Sequence, residues 1–301
     1  MSTRASAHST GRRTADVDTI GDLVARVTGM LEDHGVADAA AEGRDLVGVV
    51  AGQSRFWPRV RSDAPADAVL VDACVRAAHR RAAGAPFAYA VRRAAFRHLT
   101  LEIDQSVLIP RQETELLVDL VLRKRGDCPG GVAADVCTGS GAIALALASE
   151  GRFDRVIGCD IATDALRLAR RNAARLESGA ARRLEFRDGD LLAPLRAERL
   201  DVLAANPPYI AFDEAAELPA SVRDWEPIHA LLSGGYGLDV TRRLVMEAPA
   251  LVSSGGLLAL EVDTRRAILV AEMVSAQGSW ADVTVHQDLT GRERFVLAQR
   301  R

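Results

Sequence analysis

The sequence predicts an α/β domain built on a mostly parallel seven-stranded sheet, preceded by a small helical domain. Three observations carry this reading. After Gly130, short apolar runs alternate with helical patterns, as strands joined by crossover helices do. The last two runs are separated only by Asp288-Leu289-Thr290-Gly291-Arg292-Glu293. That is too short for a crossover helix, so these two strands must pair antiparallel. From Val17 to Ala83 the chain is rich in Ala, Val and Leu at helical spacing, with no β-rich stretch.

In chain order, residues 1–16 read as a disordered tail, because Ser, Thr and Arg dominate there and no apolar core of a secretory signal appears. Residues 17–84 form the helical domain, with Ile20, Leu23, Val24 and Val27 on one helix face. A helix start is expected at Asp38, and another helix begins near Pro65 and runs through Val69, Leu70 and Val75. Residues 85–110 form a linker hairpin, where Phe96, Leu99, Leu101 and Ile103 alternate. The catalytic domain spans 111–301 and opens with a helix over Glu113–Arg125. Its strands are placed at Val132–Cys137, Arg155–Asp160, Leu184–Arg187, Val202–Ala205, Leu257–Val262, Val283–Gln287 and Arg294–Ala298. Helices begin near Ala142, Thr163, Asp239 and Thr264.

The bulk numbers bound the function. The 301 residues are 48% hydrophobic and 26% charged, as in a soluble globular protein. The formal net charge of -3 argues against a nucleic-acid backbone as the main partner, which normally calls for a basic excess. Cys74, Cys128, Cys137 and Cys159 have no metal-ligand spacing, so free thiols in a reducing cytoplasm are expected. No apolar run is long enough to span a bilayer.

Three strand ends carry the ligand-binding pattern. Asp135-Val136-Cys137-Thr138-Gly139-Ser140-Gly141 closes the first strand of the sheet and opens a helix. Gly139 and Gly141 let the backbone turn tightly and approach a ligand. Asp160 ends the next strand, where a carboxylate can accept hydrogen bonds from ribose hydroxyls. Asp190 follows the third strand, in a place suited to an adenine ring. A dinucleotide such as NAD fits the same general geometry, although the glycine spacing matches only loosely, as Gly139, Gly141 and then Ala144.

The fourth strand runs into Asn206-Pro207-Pro208-Tyr209. Two prolines fix two φ angles and stiffen the loop beside the ligand crevice. The Asn206 side-chain carbonyl and the Pro207 backbone carbonyl can each accept one N–H of a planar NH2 group. Held so, a poorly nucleophilic amide nitrogen faces a sulfonium methyl for in-line transfer, and its developing positive charge is stabilised. Tyr209 can stack on the planar target.

With these motifs the chain resembles the HemK/PrmC family of peptide chain release factor glutamine methyltransferases. The likeness runs from about Phe87 to Arg301 and includes Val107-Leu108-Ile109-Pro110-Arg111-Gln112-Glu113-Thr114-Glu115, Thr138–Ala144, Asn206–Tyr209, Glu226-Pro227 and Asp288-Leu289 with Gly291 and Arg294. The resemblance implies a class I methyltransferase fold with a Rossmann-like sheet, S-adenosyl-L-methionine as cofactor, and a helical substrate-binding domain. It also implies methylation of the glutamine in the Gly-Gly-Gln tripeptide of class 1 release factors. On this reading Asp135, Thr138, Gly139, Gly141, Asp160, Asp190 and Asn206 bind the cofactor. Asn206, Pro207, Pro208 and Tyr209 hold the target, with Arg111 and Glu113 in support. Cys137 and Asp263 stand where the family usually has glycine. Two alternatives remain open. One is a paralogue acting on another amide or amine nitrogen. The other is a nucleic-acid adenine methyltransferase, since Asn-Pro-Pro-Tyr also occurs in DNA adenine methyltransferases.

Overall fold

The computed structural model describes residues 19–301, and the tail expected over 1–16 lies outside them. The chain divides after Val91 into two compact units.

The longest helices of the first unit, among the described residues, are α1 (Ile20–Glu32), α2 (Ala39–Val50) and α3 (Ala68–Ala82), with short helical segments at Trp57–Val60 and Phe87–Val91. A reciprocal capping box starts α1. The Thr19 hydroxyl accepts from the Asp22 amide, and the Asp22 carboxylate accepts from the Thr19 amide, both at 3.1 Å. Ile20, Leu23, Val27 and Leu31 recur at helical spacing and pack with Leu46, Val47, Cys74 and Ala77. Val24 is only partly buried beside this cluster. Asp38 precedes α2 as expected, but with a left-handed φ of 53° and no side-chain cap. At α3 it is Asp67 that caps, accepting from the Leu70 amide at 2.8 Å. Arg81 of α3 grips both carboxylate oxygens of Glu42 on α2, at 2.7 and 2.9 Å.

The second unit, Arg92–Arg301, opens with the hairpin β1 (Arg93–Phe96) and β2 (Leu99–Glu102). Helix α4 (Gln112–Arg125) follows. Then come β3 (Val132–Val136), α5 (Ala142–Glu150), β4 (Arg155–Asp160), α6 (Thr163–Ala173), β5 (Leu184–Asp188) and β6 (Leu200–Ala205). The unit ends with α7 (Asp239–Glu247), β7 (Val252–Glu261), α8 (Ala267–Ala276), β8 (Trp280–Gln287) and β9 (Glu293–Arg300). Seven of these strands form one sheet in the order β5-β4-β3-β6-β7-β9-β8. Strands β3 to β7 run parallel, and β9 pairs antiparallel with both β7 and β8. The expected terminal hairpin is therefore present.

Strand boundaries differ from expectation at two informative places. β3 stops at Val136 because Cys137 turns to a φ of 62°. β7 begins at Val252, five residues before the apolar run at Leu257, because its first part crosses a register shift opposite Leu200 and Val202. The central strands are buried on both faces: Ala133–Val136, Val202–Ala205 and Leu257–Glu261 contain no exposed residue. That explains their apolar character, which only Asp135 and Glu261 interrupt in these stretches.

The chain enters the sheet at β3, steps outward to β5, then returns to lay β6 on the other side of β3. Right-handed crossovers on the two sides of β3 cover opposite faces. A crevice is left beyond the carboxyl ends of β3, β4 and β6.

Asn172, on α6, ties the small hairpin to the rim of this crevice. Its Oδ1 accepts from the Glu102 amide at 2.7 Å, and its Nδ2 donates to the Glu102 and Ser140 carbonyls at 3.0 Å each. The side chain is buried. Asn172→Leu strands one backbone donor and two acceptors, so a loss on the order of 3 kcal/mol is expected. Urea unfolding measures it, and an unchanged midpoint would count against the clamp.

Candidate active site

The loop after β3 is organised from beneath by Asp135. This carboxylate is fully buried. Its Oδ2 accepts from the Thr138 hydroxyl at 2.5 Å and from the Ala144 amide at 3.0 Å. The second bond caps the first turn of α5, whose N-cap residue, Gly141, has no side chain to do so. Gly141 sits at φ 83°, and a Cβ there would collide with Leu145 and crowd Ala169. Burial pushes the Asp135 carboxyl up from 3.8 to about 7, against the pull of its two hydrogen bonds. Cys137 holds a left-handed conformation that glycine adopts more readily.

Asp160, at the end of β4, braces the same loop. Its Oδ2 accepts from the Gly139 amide at 2.8 Å, and its Oδ1 accepts from the Ala162 amide at 2.9 Å. Each oxygen keeps a further lone pair for a ligand hydroxyl. Thr138, Gly139 and Asp160 line a cavity of about 470 Å³ at the crevice. Apolar Ile161 and Leu191 line it too, as do Asp190 and Asn206. Asp190 is engaged at the rim, where Arg243 of α7 donates to its Oδ2 at 2.7 Å.

The fourth strand end forms the opposite wall. Asn206 and Pro208 line the large cavity and also a smaller one of about 150 Å³. Pro207 and Tyr209 face only the smaller one of these two. The loop is packed tightly from behind. Gly237 has a φ of 81°, and a Cβ there would run into the Tyr209 carbonyl oxygen. Asn206 Nδ2 donates to Thr114 Oγ1 at 3.0 Å, and the Thr114 hydroxyl donates to Glu261 Oε2 at 2.7 Å. The Tyr209 hydroxyl lies 3.4 Å from the other oxygen of Glu261. Burial pushes Glu261 up from 4.5 to about 7, and burial also raises the Tyr209 phenol.

The residues expected from sequence are thus largely gathered at one crevice. Thr138, Gly139, Asp160, Asp190, Asn206, Pro208 and Arg111 line its main cavity. Asp135 and Gly141 lie beneath the loop rather than in the lining. Arg111 is committed to a carboxylate: it donates to the buried Glu226 at 2.6 Å, and Glu226 also accepts from the Ile109 amide at 3.3 Å. Glu113 lies in the first turn of α4 and lines neither cavity. Asp263 pairs with Arg265 and Arg266 at 3.0 and 3.3 Å, away from the cavity lining. Thr114, Glu226 and Glu261 received no role from the sequence. Thr114 and Glu226 stood only within motifs shared with the family, and each of the three lies far in sequence from a hydrogen-bond partner.

The residues present fit S-adenosylmethionine. Asp160 offers acceptors for a ribose diol, and apolar side chains line the space for a base. A Cβ on Gly139 would meet nothing, so its backbone faces open space. The cavity has the size of small-molecule sites.

Comparison with known proteins agrees with this geometry. The family model for the methyltransferase small domain matches residues 112–219. The release factor glutamine methyltransferase of Moorella thermoacetica is 44% identical over 226 residues, covering 75% of this chain and 79% of its own. That of Streptomyces coelicolor is 34% identical over 281 residues, covering 92% and 96%. Among solved structures, the catalytic domain of hMettl16 in complex with a MAT2A 3'UTR hairpin aligns with a TM-score of 0.57 at 17% identity, over 74% of this chain and 80% of that one. At that identity the likeness speaks for the fold alone.

Fold and site together define a class I, S-adenosylmethionine-dependent methyltransferase. The sequence relatives narrow the class, and the chain belongs to the release factor glutamine methyltransferase family.

The raised Asp135 carboxyl has a consequence for stability. Between about pH 4 and 7 the unfolded chain releases this proton while the folded chain keeps it. Stability therefore falls as pH rises through that window, by on the order of 1 kcal/mol per pH unit. Asp135→Asn is expected to lessen the decline in urea midpoints measured from pH 4 to 7, with the buried Glu261 carboxyl, also raised to about 7, contributing the remainder. An undiminished slope would show that another group causes it.

Proposed function

We propose that the enzyme methylates the side-chain amide nitrogen of the glutamine in the Gly-Gly-Gln tripeptide of class 1 peptide chain release factors. The observation that carries this reading is the wall formed by Asn206 and Pro208. Both residues line a cavity that fits the cofactor and also a smaller one that Pro207 and Tyr209 line. A single side chain entering the small cavity meets the cofactor cavity at Asn206. The names of the sequence relatives supply the substrate class.

S-adenosylmethionine supplies an electrophilic methyl group when bound. Asp160 would hold the ribose through its carboxylate, Thr138 and Gly139 shape the loop that lines the cavity, and Asp190 with Leu191 would border the base. Asn206 Oδ1 and the Pro207 carbonyl accept the two hydrogens of the target NH2. They orient its nitrogen and stabilise the positive charge that develops there. Tyr209 packs on the planar amide. Arg111 acts through Glu226, fixing the Ile109 segment at the cavity mouth.

The helical unit is the surface we assign to docking the protein substrate. It leaves the apolar side chains of Phe56, Val60 and Val69 exposed. The four cysteines are unpaired, which suits a reducing cytoplasm. Among the described residues no helix is long and apolar enough to cross a membrane.

The test is incubation with methyl-labelled S-adenosylmethionine and a class 1 release factor from the same organism, followed by peptide mass spectrometry. Label is expected on the Gly-Gly-Gln glutamine. Asn206→Ala should lower kcat by about 100-fold or more while cofactor Kd stays near wild type. Asp160→Ala should instead raise cofactor Kd about tenfold or more, the loss expected when charge-assisted hydrogen bonds are removed. Full turnover by the Asn206 variant would refute its role, and label at another residue would refute the substrate.

A further inference from the structure

We infer that Thr114 and Glu261 are positioning residues that fix which end of the Asn206 carboxamide faces the reacting nitrogen. The inference rests on the proposed role of Asn206 as an acceptor for the target NH2.

A carboxamide is nearly symmetric in shape and opposite in chemistry at its two ends. Nothing in the shape of the loop prevents Asn206 from turning its NH2 toward the cavity. In that orientation it would present a donor to a donor, and the target amide would be repelled. The hydrogen-bond chain behind Asn206 decides the orientation. Glu261, as a carboxylate, can only accept. The Thr114 hydroxyl has one hydrogen, and at 2.7 Å that hydrogen is committed to Glu261 Oε2. Thr114 Oγ1 is left with lone pairs only, so its neighbour at 3.0 Å must be the Asn206 NH2. The Asn206 carbonyl is then turned to the other side.

The three residues come from three elements: Thr114 from the first turn of α4, Asn206 from the end of β6, and Glu261 from the end of β7. Thr114 is 5% exposed and Glu261 is 1% exposed, so water does not compete for these bonds. β6 and β7 pair in register up to Ala205 and Leu260, which sets Glu261 beside the start of the Asn206 loop.

The chain also makes the orientation sensitive to protonation. Glu261 faces the Thr114 and Tyr209 hydroxyls, and the charge of Arg294 favours its ionised form while that of Glu113 opposes it. Arg111 and Asp263 also act on the Tyr209 side of the cluster. Burial prevails and holds the Glu261 carboxyl near pH 7. Once protonated, Glu261 can donate to Thr114. The Thr114 hydrogen is released, and it can bond the Asn206 carbonyl after the amide turns over. Methyl transfer should therefore weaken as pH falls below about 7.

Thr114→Val, Thr114→Ser and Glu261→Gln test this, each compared with wild type for kcat, cofactor Kd and pH profile. Thr114→Val should lower kcat at least tenfold with cofactor Kd unchanged, and Thr114→Ser should restore it. Glu261→Gln should remove the acidic limb of the kcat profile. A structural readout needs no substrate: in protein labelled with 15N-asparagine, the Asn206 side-chain NH2 resonance should move in Thr114→Val and stay in place in Thr114→Ser. Wild-type kcat and an unmoved resonance in Thr114→Val would overturn the inference and leave methylation of the release factor standing. Absence of label on the release factor by the wild-type enzyme would overturn the proposed substrate, while the resonance shift would still report the hydrogen-bond chain.

Discussion

Parallel strands joined by crossovers must all present their carboxyl ends at one edge of the sheet, and the rest of the site follows from this constraint. Because the chain begins in the middle of the sheet at β3 and returns to its other side at β6, three strand ends meet at one place. Asp135 with its glycine-bearing loop, Asp160 and Asn206 are far apart in sequence. They become neighbours only because β3 pairs with both β4 and β6. The antiparallel β9 then closes the sheet against β7 and holds the strand that carries Glu261.

The site is built from stiff parts. Two prolines follow Asn206, and Gly237 lets a second segment press against the Tyr209 carbonyl. Asp135 and Asp160 brace the loop between them and the first turn of α5 through three hydrogen bonds, and a fourth, from the Ala162 amide, fixes Asp160 itself. Arg111 and Glu226 fasten the segment that precedes α4. Stiffness of this kind matters for an amide nitrogen, whose weak nucleophilicity leaves orientation and charge stabilisation as the main sources of rate.

Much of this was legible in the sequence, for a physical reason. Buried parallel strands read as apolar runs, and the residue that ends each strand breaks the run with a carboxylate, a glycine or Asn-Pro-Pro-Tyr. The pattern of the strands therefore exposes the site. What stayed hidden were side chains that act across the fold. Thr114 lies in the first turn of α4, Glu261 ends β7 and Glu226 lies in a bend outside helix and strand, and nothing local distinguishes them from solvated polar residues. Their meaning comes from partners 92 to 147 residues away. Asp38 stands directly before α2, where a helix start was expected, but its left-handed backbone leaves its side chain without a capping bond. Arg243 also went unread, because its link to Asp190 joins a helix to a strand end across the crevice.

Two buried carboxylates near neutral pKa are an expensive feature for a core to contain. Asp135 and Glu261 are each almost without exposure, and their hydrogen bonds come from hydroxyls and a backbone amide: Thr138 and Ala144 for the first, Thr114 and Tyr209 for the second. A sheet selected for stability alone would place apolar groups there. Each instead fixes a direction that an apolar residue cannot fix. Asp135 orients the amide of Ala144 and the hydroxyl of Thr138, and so the glycine loop. Glu261 orients the hydroxyl of Thr114, and through it the amide of Asn206. Both the cofactor loop and the target loop thus take their polarity from an acid buried behind them. The stability lost at these two positions is offset by the apolar strands on either side, which is why the acids can remain in a sheet whose central strands are otherwise sealed from water.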